Sequence, residues 1–163
     1  MGIGFFVFGL IFMPLVVRFV VAAPLGTFIS PQQSIRTMAP HALFAILFLW
    51  QFPHFLAIAW LCRDDYELAG MKMLPRVAAR RPGLTGLMGI AYALALLGVS
   101  AWPRALGLAG NAYLAAAIVL GLGYLVATIR FWWNESTRTA RGVLYASLVH
   151  LPLLLAVLTW DHF

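Results

Sequence analysis

Residues 41–62 read HALFAILFLWQFPHFLAIAWLC, and residues 63–81 continue as RDDYELAGMKMLPRVAARR. The first segment carries no acidic or basic residue except one histidine at its start and one in its interior. A helix of about 20 such residues crosses the ~30 Å hydrocarbon core of a bilayer. The second segment is too charged to enter lipid. The abrupt change at position 63 therefore predicts that a membrane-spanning helix ends there.

Windows of about 19 residues find four further apolar runs in the chain. They cover residues 3–21, 84–102, 112–131 and 143–160. The runs lack the period-two alternation of barrel strands, and a helix satisfies its own backbone hydrogen bonds in lipid. We therefore predict an all-α integral membrane protein, formed by a single domain over residues 1–163 with about five transmembrane helices.

The composition excludes other classes of protein. Of the 163 residues, 63% are apolar and 10% are charged, whereas a soluble domain is about half apolar and a quarter charged. This composition excludes a soluble enzyme and a disordered tail. The single cysteine excludes a disulfide scaffold. The net charge of +6 does not indicate a nucleic-acid partner, because the basic residues lie between the apolar runs.

The segments between the runs differ in charge. Residues 63–83 and 130–142, on the same side as the N-terminus, carry most of the cations, and residues 30–40 and 103–111 carry few. The first set is Arg63, Lys72, Arg76, Arg80, Arg81, Arg130, Arg138 and Arg141, and the second is Arg36 and Arg104. The positive-inside rule therefore places the N-terminus and the loop 63–83 in the cytoplasm.

The loop 63–83 combines carboxylates with cations, and two interpretations remain open. A solvated loop with local ion pairs of little energetic value explains Asp64, Asp65 and Glu67 on charges alone. Alternatively, Asp64 and Asp65 hold Mg²⁺, which binds one or two carboxylates together with substrate phosphates. Arg63 and Lys72 would then neutralise a departing diphosphate.

The span 41–62 contains polar side chains, which inside a membrane are candidates for function. Gln51 and His54 are three residues apart, and Trp50 and His54 are four apart, so the three share one side of a helix. His54 is interpreted as a core histidine bonded to a neighbouring helix, as a haem contact, or as a general base or carbocation stabiliser. His150, in the last run, is a second candidate haem ligand.

The stretch FLWQFPHFLAIAWLCRDDYELAGMKMLP, residues 48–75, resembles the protoheme IX farnesyltransferases, or haem O synthases, within the UbiA-type membrane prenyltransferases. The combination of W-Q-x-P-H-F with R-x-D-Y-x-x-A-G-x-x-M-L-P carries the resemblance. The segment LYASLVHLPLLLAVLTWD, residues 144–161, is similar to the last helix of that family. The resemblance extends over the whole chain but only over the family's C-terminal half, which implies helices five to nine of a nine-helix bundle.

The resemblance implies a reaction, its substrates and a location. A farnesyl group would move from farnesyl diphosphate to a vinyl group of haem B, giving haem O, with Mg²⁺ as the metal. The enzyme would lie in the bacterial inner membrane with its active loop on the cytoplasmic side. The implied catalytic residues are Asp65, Asp64 and His54, the metal ligands are Asp64 and Asp65, and the substrate-binding residues are Arg63, Tyr66, Lys72, Trp50 and Gln51.

The chain departs from the family in two respects, of which the smaller is His150 at a position where the family generally has tyrosine. The family's first Asp-rich motif, of the type N-x-x-x-D-x-x-x-D, does not occur in the sequence. We therefore expect a fragment, or a chain whose missing N-terminal half comes from another protein, with haem A synthase as a further possible partner. Two alternatives stay open: a non-catalytic membrane subunit that binds haem through His54 and His150, and a prenyltransferase with a quinone-type aromatic acceptor.

Overall fold

The structure, a computed structural model, describes residues 31–70 and 83–161, and these residues contain helices and connecting turns. The predicted span 3–21 and Lys72 lie outside them. The helices are α1 (Pro31–Leu61), α2 (Arg63–Leu68), α3 (Leu84–Val99), α4 (Trp102–Ala105), α5 (Asn111–Trp133) and α6 (Thr137–Asp161).

Four segments of the described chain are long and apolar enough to span a membrane. They are Pro40–Leu61, Leu84–Ala105, Asn111–Trp133 and Thr137–Asp161, with mean hydropathy between 1.8 and 2.1. The predicted class, an all-α integral membrane protein, is confirmed.

Two helix boundaries differ from those that we predicted. Helix α1 begins at Pro31 rather than near residue 41, and proline is well suited to the first helical position because its missing N–H has no partner there anyway. The predicted loop 63–83 begins with a helix, α2, which carries Asp64 and Asp65 in its first turn. Acidic side chains in that position interact favourably with the helix dipole.

The four long helices form a closed ring in the order α1, α3, α5, α6. Helix α1 packs against α3 and α6, and α5 packs against the same two helices. Helices α1 and α5 finish, and α3 and α6 begin, at the same end of the ring, which we call the loop end. We call the other end the opposite end. Because α6 returns to α1, the last described helix closes the ring against the first.

Each long helix buries one narrow stripe of residues and exposes many large apolar side chains. The buried residues recur every three or four positions, as in bundles whose side chains interdigitate. In α5 they are Tyr113, Ala117, Gly121, Tyr124, Thr128 and Phe131, and in α6 they are Ala140, Val143, Ser147, His150 and Leu154. Exposed residues such as Val119 and Leu148 face away from the ring, as expected for a surface in contact with lipid.

Two glycines allow α3 and α5 to approach closely. A Cβ atom on Gly86 would lie 2.5 Å from the backbone Cα of Trp132, and a Cβ on Gly121 would lie 2.5 Å from Leu97 Cδ1. The first contact involves backbone, which a side-chain rotation cannot relieve. In lipid, where helices associate mainly through packing, such small-residue contacts are a principal source of affinity between helices.

Carboxylates that are distant in sequence cap two helix N-termini, one from the end of α6 and one from the turn between α5 and α6. The residue before α5 is Gly110, which has no side chain, and Asp161 at the end of α6 accepts a hydrogen bond from the backbone N–H of Tyr113 (2.9 Å). Likewise, Glu135 Oε1 accepts from the backbone N–H of Gly86 in the first turn of α3 (3.1 Å). Each carboxylate satisfies a helix-end N–H and lies at the positive end of the helix dipole.

Substituting Gly86 tests the close approach of α3 and α5. We expect Gly86→Ala to lower the free energy of unfolding by about 1–3 kcal/mol, because the added methyl group overlaps the Trp132 backbone. Gly123→Ala is the matched control, since its Cβ meets no atom within 4 Å and alanine is the better helix former. Thermal unfolding in detergent measures both; equal midpoints would contradict the contact.

Removing Asp161 tests the cap on α5. We expect Asp161→Ala to destabilise the bundle by about 1 kcal/mol, because the N–H of Tyr113 loses its acceptor. Asp161→Asn keeps an acceptor oxygen but loses the charge, so it should lie between wild type and alanine. Thermal midpoints of the three proteins give the order, and an alanine variant as stable as wild type would show that the cap is energetically unimportant.

Candidate functional site

A polar network lies across the interior of the ring and joins α1, α5 and α6. The indole N–H of Trp50 donates to the carbonyl of Ser147 (2.8 Å), and His54 Nδ1 lies 2.8 Å from Ser147 Oγ. The hydroxyl of Tyr124 donates to the Trp50 carbonyl (3.3 Å). Polar groups are costly inside a bilayer unless they are paired, so these bonds fix the three helices relative to one another.

The periodicity of α1 places Trp50 and His54 together. They are four residues apart, and their rings stack with centroids 4.9 Å apart and planes inclined by 21°. Phe55 meets the His54 ring edge-on at 5.5 Å. Pro53 is fully buried on the inner side of the helix and has no N–H to donate, so the helix lacks one backbone hydrogen bond beside His54.

His150 lies deeper in the ring than His54. It is three residues from Ser147 on α6, and its ring centroid is 5.5 Å from that of Tyr124. The side chain is 1% exposed, and neither ring nitrogen has a hydrogen-bond partner within the described residues. The carbonyl of Leu120 is near the ring without meeting hydrogen-bond geometry. His150 is therefore enclosed, whereas His54 is only half-buried.

Gln51 does not join this network. It lies on the side of α1 between Leu47 and Phe55, which are 37% and 40% exposed, and one residue of helical turn, about 100°, separates it from Trp50. The half-buried Gln51 side chain is therefore directed toward the outside of the ring. Within the described residues, no hydrogen bond joins the Gln51 side chain to His54, its neighbour three residues along the helix.

The acidic pair lies on α2 at the loop end. Arg63 Nε is 3.3 Å from Asp64 Oδ1, and the Arg63 guanidinium also donates to the Trp60 carbonyl (3.4 Å) and lies 4.9 Å from the Trp60 ring centroid. The side chain of Asp64 is 80% exposed. Asp65 is exposed as well, and no side-chain partner is seen for it among residues 31–70 and 83–161. Tyr66 is half-buried beside it.

The donor set at the loop end limits the kind of metal site that it can form. Within the described residues, no group of three His, Cys, Asp or Glu side chains is placed to hold a metal. Consecutive side chains on a helix diverge by about 100°, so Asp64 is turned toward Arg63 while Asp65 is free to bind. Such a pair fits Mg²⁺ that is shared with a phosphate ligand, and does not fit a cage made of protein alone.

The polar network and the acidic pair lie on one nearly continuous helical path. Helical hydrogen bonding crosses the junction of α1 and α2, from Cys62 N–H to the Ile58 carbonyl (2.9 Å) and from Tyr66 N–H to the Cys62 carbonyl (3.0 Å). The rise between His54 and Asp64 is about 15 Å along such a path. A charged group bound at α2 and an apolar group bound beside His54 would therefore lie at different depths.

Sequence reasoning missed two members of the network, Tyr124 and Ser147. Both are polar residues inside predicted spans, and the rule that intramembrane polar residues are candidates for function was applied to the span 41–62 alone. Both bond to Trp50, which lies 74 positions from Tyr124 and 97 positions from Ser147 in the sequence. No local sequence pattern shows such pairs.

Comparisons with known proteins find similarity to one family of membrane prenyltransferases. A model of the UbiA prenyltransferase family matches residues 3–159. Proteins named protoheme IX farnesyltransferase are similar: that of Solibacter usitatus is 44% identical over 119 residues, covering 73% of this chain and 40% of the relative. That of Koribacter versatilis is 46% identical over 127 residues, covering 74% and 41%. The chain thus spans about two fifths of the length of these relatives. No solved structure matches it significantly.

Replacing Trp50 tests the network. We expect Trp50→Phe to lower the free energy of unfolding by at least about 1 kcal/mol, because the hydrogen bond to Ser147 is lost and the stack on His54 is reduced. Trp133→Phe is the matched control, since that side chain is 81% exposed. Thermal unfolding in detergent compares the two; if both variants unfold at the wild-type temperature, the network does not stabilise the bundle.

Proposed function

Because the chain belongs to the UbiA prenyltransferase family, we propose that it contributes the C-terminal helices of an enzyme that transfers a farnesyl group from farnesyl diphosphate to haem B. The similarity to proteins named protoheme IX farnesyltransferase supports this acceptor. The observation that carries the proposal is the arrangement of α1 and α2. One helical path presents an acidic pair at the loop end and an aromatic and histidine cluster about 15 Å deeper.

The loop end suits the diphosphate. Asp64 and Asp65 would hold Mg²⁺, and Mg²⁺ neutralises the charge that develops on a departing diphosphate. The Arg63 side chain is 40% exposed and contacts Asp64 and Trp60 of its own helical path. It would turn from these contacts to a phosphate oxygen, which a guanidinium binds through two parallel hydrogen bonds. We assign Lys72 and Tyr66 to the same headgroup. These groups favour cleavage of the bond between the farnesyl carbon and oxygen, in which the diphosphate keeps the electron pair.

The inner part of the site suits the apolar substrates. A farnesyl chain whose headgroup lies at α2 extends along α1 toward Trp50 and His54. Aromatic faces stabilise a nearby cation, and the stacked rings of these two residues provide such a surface. The vinyl group of haem B would supply the electron pair for the new carbon–carbon bond, and the cation left on the other vinyl carbon would take up water and release a proton. Gln51 lies on the outward side of α1. It would contact only a substrate that is bound outside the ring, between α1 and a neighbouring helix.

The charge distribution supports a cytoplasmic position for the loop end. Within the described residues, Arg63, Arg130, Arg138 and Arg141 lie at that end, and Arg104 lies at the opposite end, where its Nε donates to Asn111 Oδ1 (3.0 Å). By the positive-inside rule, we propose that farnesyl diphosphate binds from the cytoplasm, at the inner membrane of a bacterium.

A second candidate, a haem-binding subunit without transferase activity, rests on the two histidines of the ring. His54 is half-buried beside Trp50 on α1, and His150 is 1% exposed on α6. A further alternative is a quinone-type aromatic acceptor. Analysing the prenylated products after supplying haem B and such an acceptor together separates the two transferase assignments.

Substituting Asp65 tests the transferase. The chain would be joined to the N-terminal part of the Solibacter usitatus relative and produced in cells that lack their own haem O synthase. We expect Asp65→Asn to lower haem O formation about 100-fold, because the departing diphosphate loses its metal-bound stabilisation. Extracted haems are separated and quantified by chromatography.

The control for this experiment is Arg104→Gln. It removes a charge at the opposite end of the ring, so we expect haem O to accumulate as in the unsubstituted chain. If Asp65→Asn also accumulates haem O undiminished, Asp65 does not hold the metal.

A further inference from the structure

The hydroxyl proton of Ser147 has a definite position. Ser147 Oγ lies 2.6 Å from the carbonyl oxygen of Leu144 and 2.8 Å from His54 Nδ1. Two oxygens at 2.6 Å require a proton between them, and a serine hydroxyl has only one. Ser147 therefore donates to Leu144, and toward His54 its oxygen accepts. It follows that His54 Nδ1 carries the ring proton.

Trp50 holds the same imidazole from a second direction. Its indole N–H donates to the backbone carbonyl of Ser147 (2.8 Å), while its ring stacks on that of His54. Ser147 is 0% exposed, so no bulk water competes for its hydroxyl. The plane of the His54 ring and the direction of its Nδ1–H are thus fixed by two residues that are bonded to each other.

With the proton on Nδ1, the lone pair of His54 is on Nε2. The structure shows no hydrogen bond to Nε2 from the residues that it describes, and the ring is only half-buried. Histidines that bind metals have this arrangement, in which one ring N–H donates to an oxygen and the other nitrogen binds the metal. An imidazole nitrogen suits iron, whereas Mg²⁺ prefers oxygen ligands.

Building on the proposed function, we propose that Ser147 is a positioning residue that holds His54 in the Nδ1–H form, so that His54 Nε2 binds the iron of haem B. His150 is not equivalent, because its side chain is 1% exposed, whereas that of His54 is half-buried. The two substrates are then held by different chemistry at different depths, the haem iron by His54 and the diphosphate about 15 Å away at α2.

The tautomer is measured directly, without haem or turnover, by ¹⁵N NMR of the histidine-labelled full chain in detergent. The His54 signals are identified by their loss in His54→Ala. We expect a protonated Nδ1 and an unprotonated Nε2 in the wild type, and a mixture of both tautomers in Ser147→Ala. A wild-type His54 that is protonated at Nε2 would overturn the proposal.

Haem binding supplies the second readout. Ferric haem b is titrated into the purified chain, and its absorption and EPR spectra are recorded. We expect a histidine-ligated spectrum that His54→Ala abolishes, and about tenfold weaker binding in Ser147→Ala, with recovery in Ser147→Thr. The matched control is Ser100→Ala, which removes a buried hydroxyl that likewise donates to a carbonyl of its own helix (Leu96, 2.7 Å).

The outcomes separate this inference from the function on which it rests. Equal haem affinity in Ser147→Ala and Ser100→Ala would overturn the positioning role. A spectrum that survives His54→Ala and is lost in His150→Ala would move the iron to His150 and overturn the assignment. Neither result involves farnesyl transfer, whose failure is read separately from haem O formation in the Asp65 experiment.

Discussion

Inside a bilayer there is no water to pair with a polar group, so an N–H, a carbonyl or a side-chain dipole within the ring is stabilised when it finds a partner in the protein. This requirement determines much of what the structure shows. The residues that precede α3 and α5 are glycines without a capping side chain. Glu135, in the turn between α5 and α6, and Asp161, at the end of α6, supply the missing acceptors. Hydrogen bonds that would otherwise stay within one helix thus connect helices to each other.

The same requirement shapes the interior. Ser147 serves three partners at once: its hydroxyl donates to Leu144 and accepts from His54, and its carbonyl accepts from Trp50. A serine in an apolar helix is a poor choice for packing, but it can orient an imidazole without introducing charge. The site therefore combines a rigid, dry part in the ring with an exposed, charged part on α2, where Asp64 is 80% exposed. The proposed transfer separates an apolar chain from a charged leaving group, and it would use both environments.

The sequence predicted the fold class well, because hydropathy alone identifies membrane-spanning helices. It also paired Trp50 with His54, since residues four apart lie on one side of a helix. It did not predict that α2 is helical, because mixed charges after a span are typical of a solvated loop. Tyr124 and Ser147 could not be paired with Trp50 from sequence, since the bonds between them depend on how distant helices pack. Gln51 lies three residues from His54, but it is also on the side of α1 between the exposed Leu47 and Phe55, which the spacing alone does not show.

The cap on α5 has a consequence for how the protein is made. Asp161 is the last residue of α6, and it completes the first turn of α5, while α6 also closes the ring against α1. During synthesis, α5 enters the membrane before Asp161 has been translated. Helix α1 is translated about a hundred residues before α6, with which it packs in the ring. Contacts between such distant segments form slowly. The half-built bundle therefore exposes its polar interior until α6 inserts, and a membrane chaperone or a partner that shields it during that interval would raise the yield of folded protein.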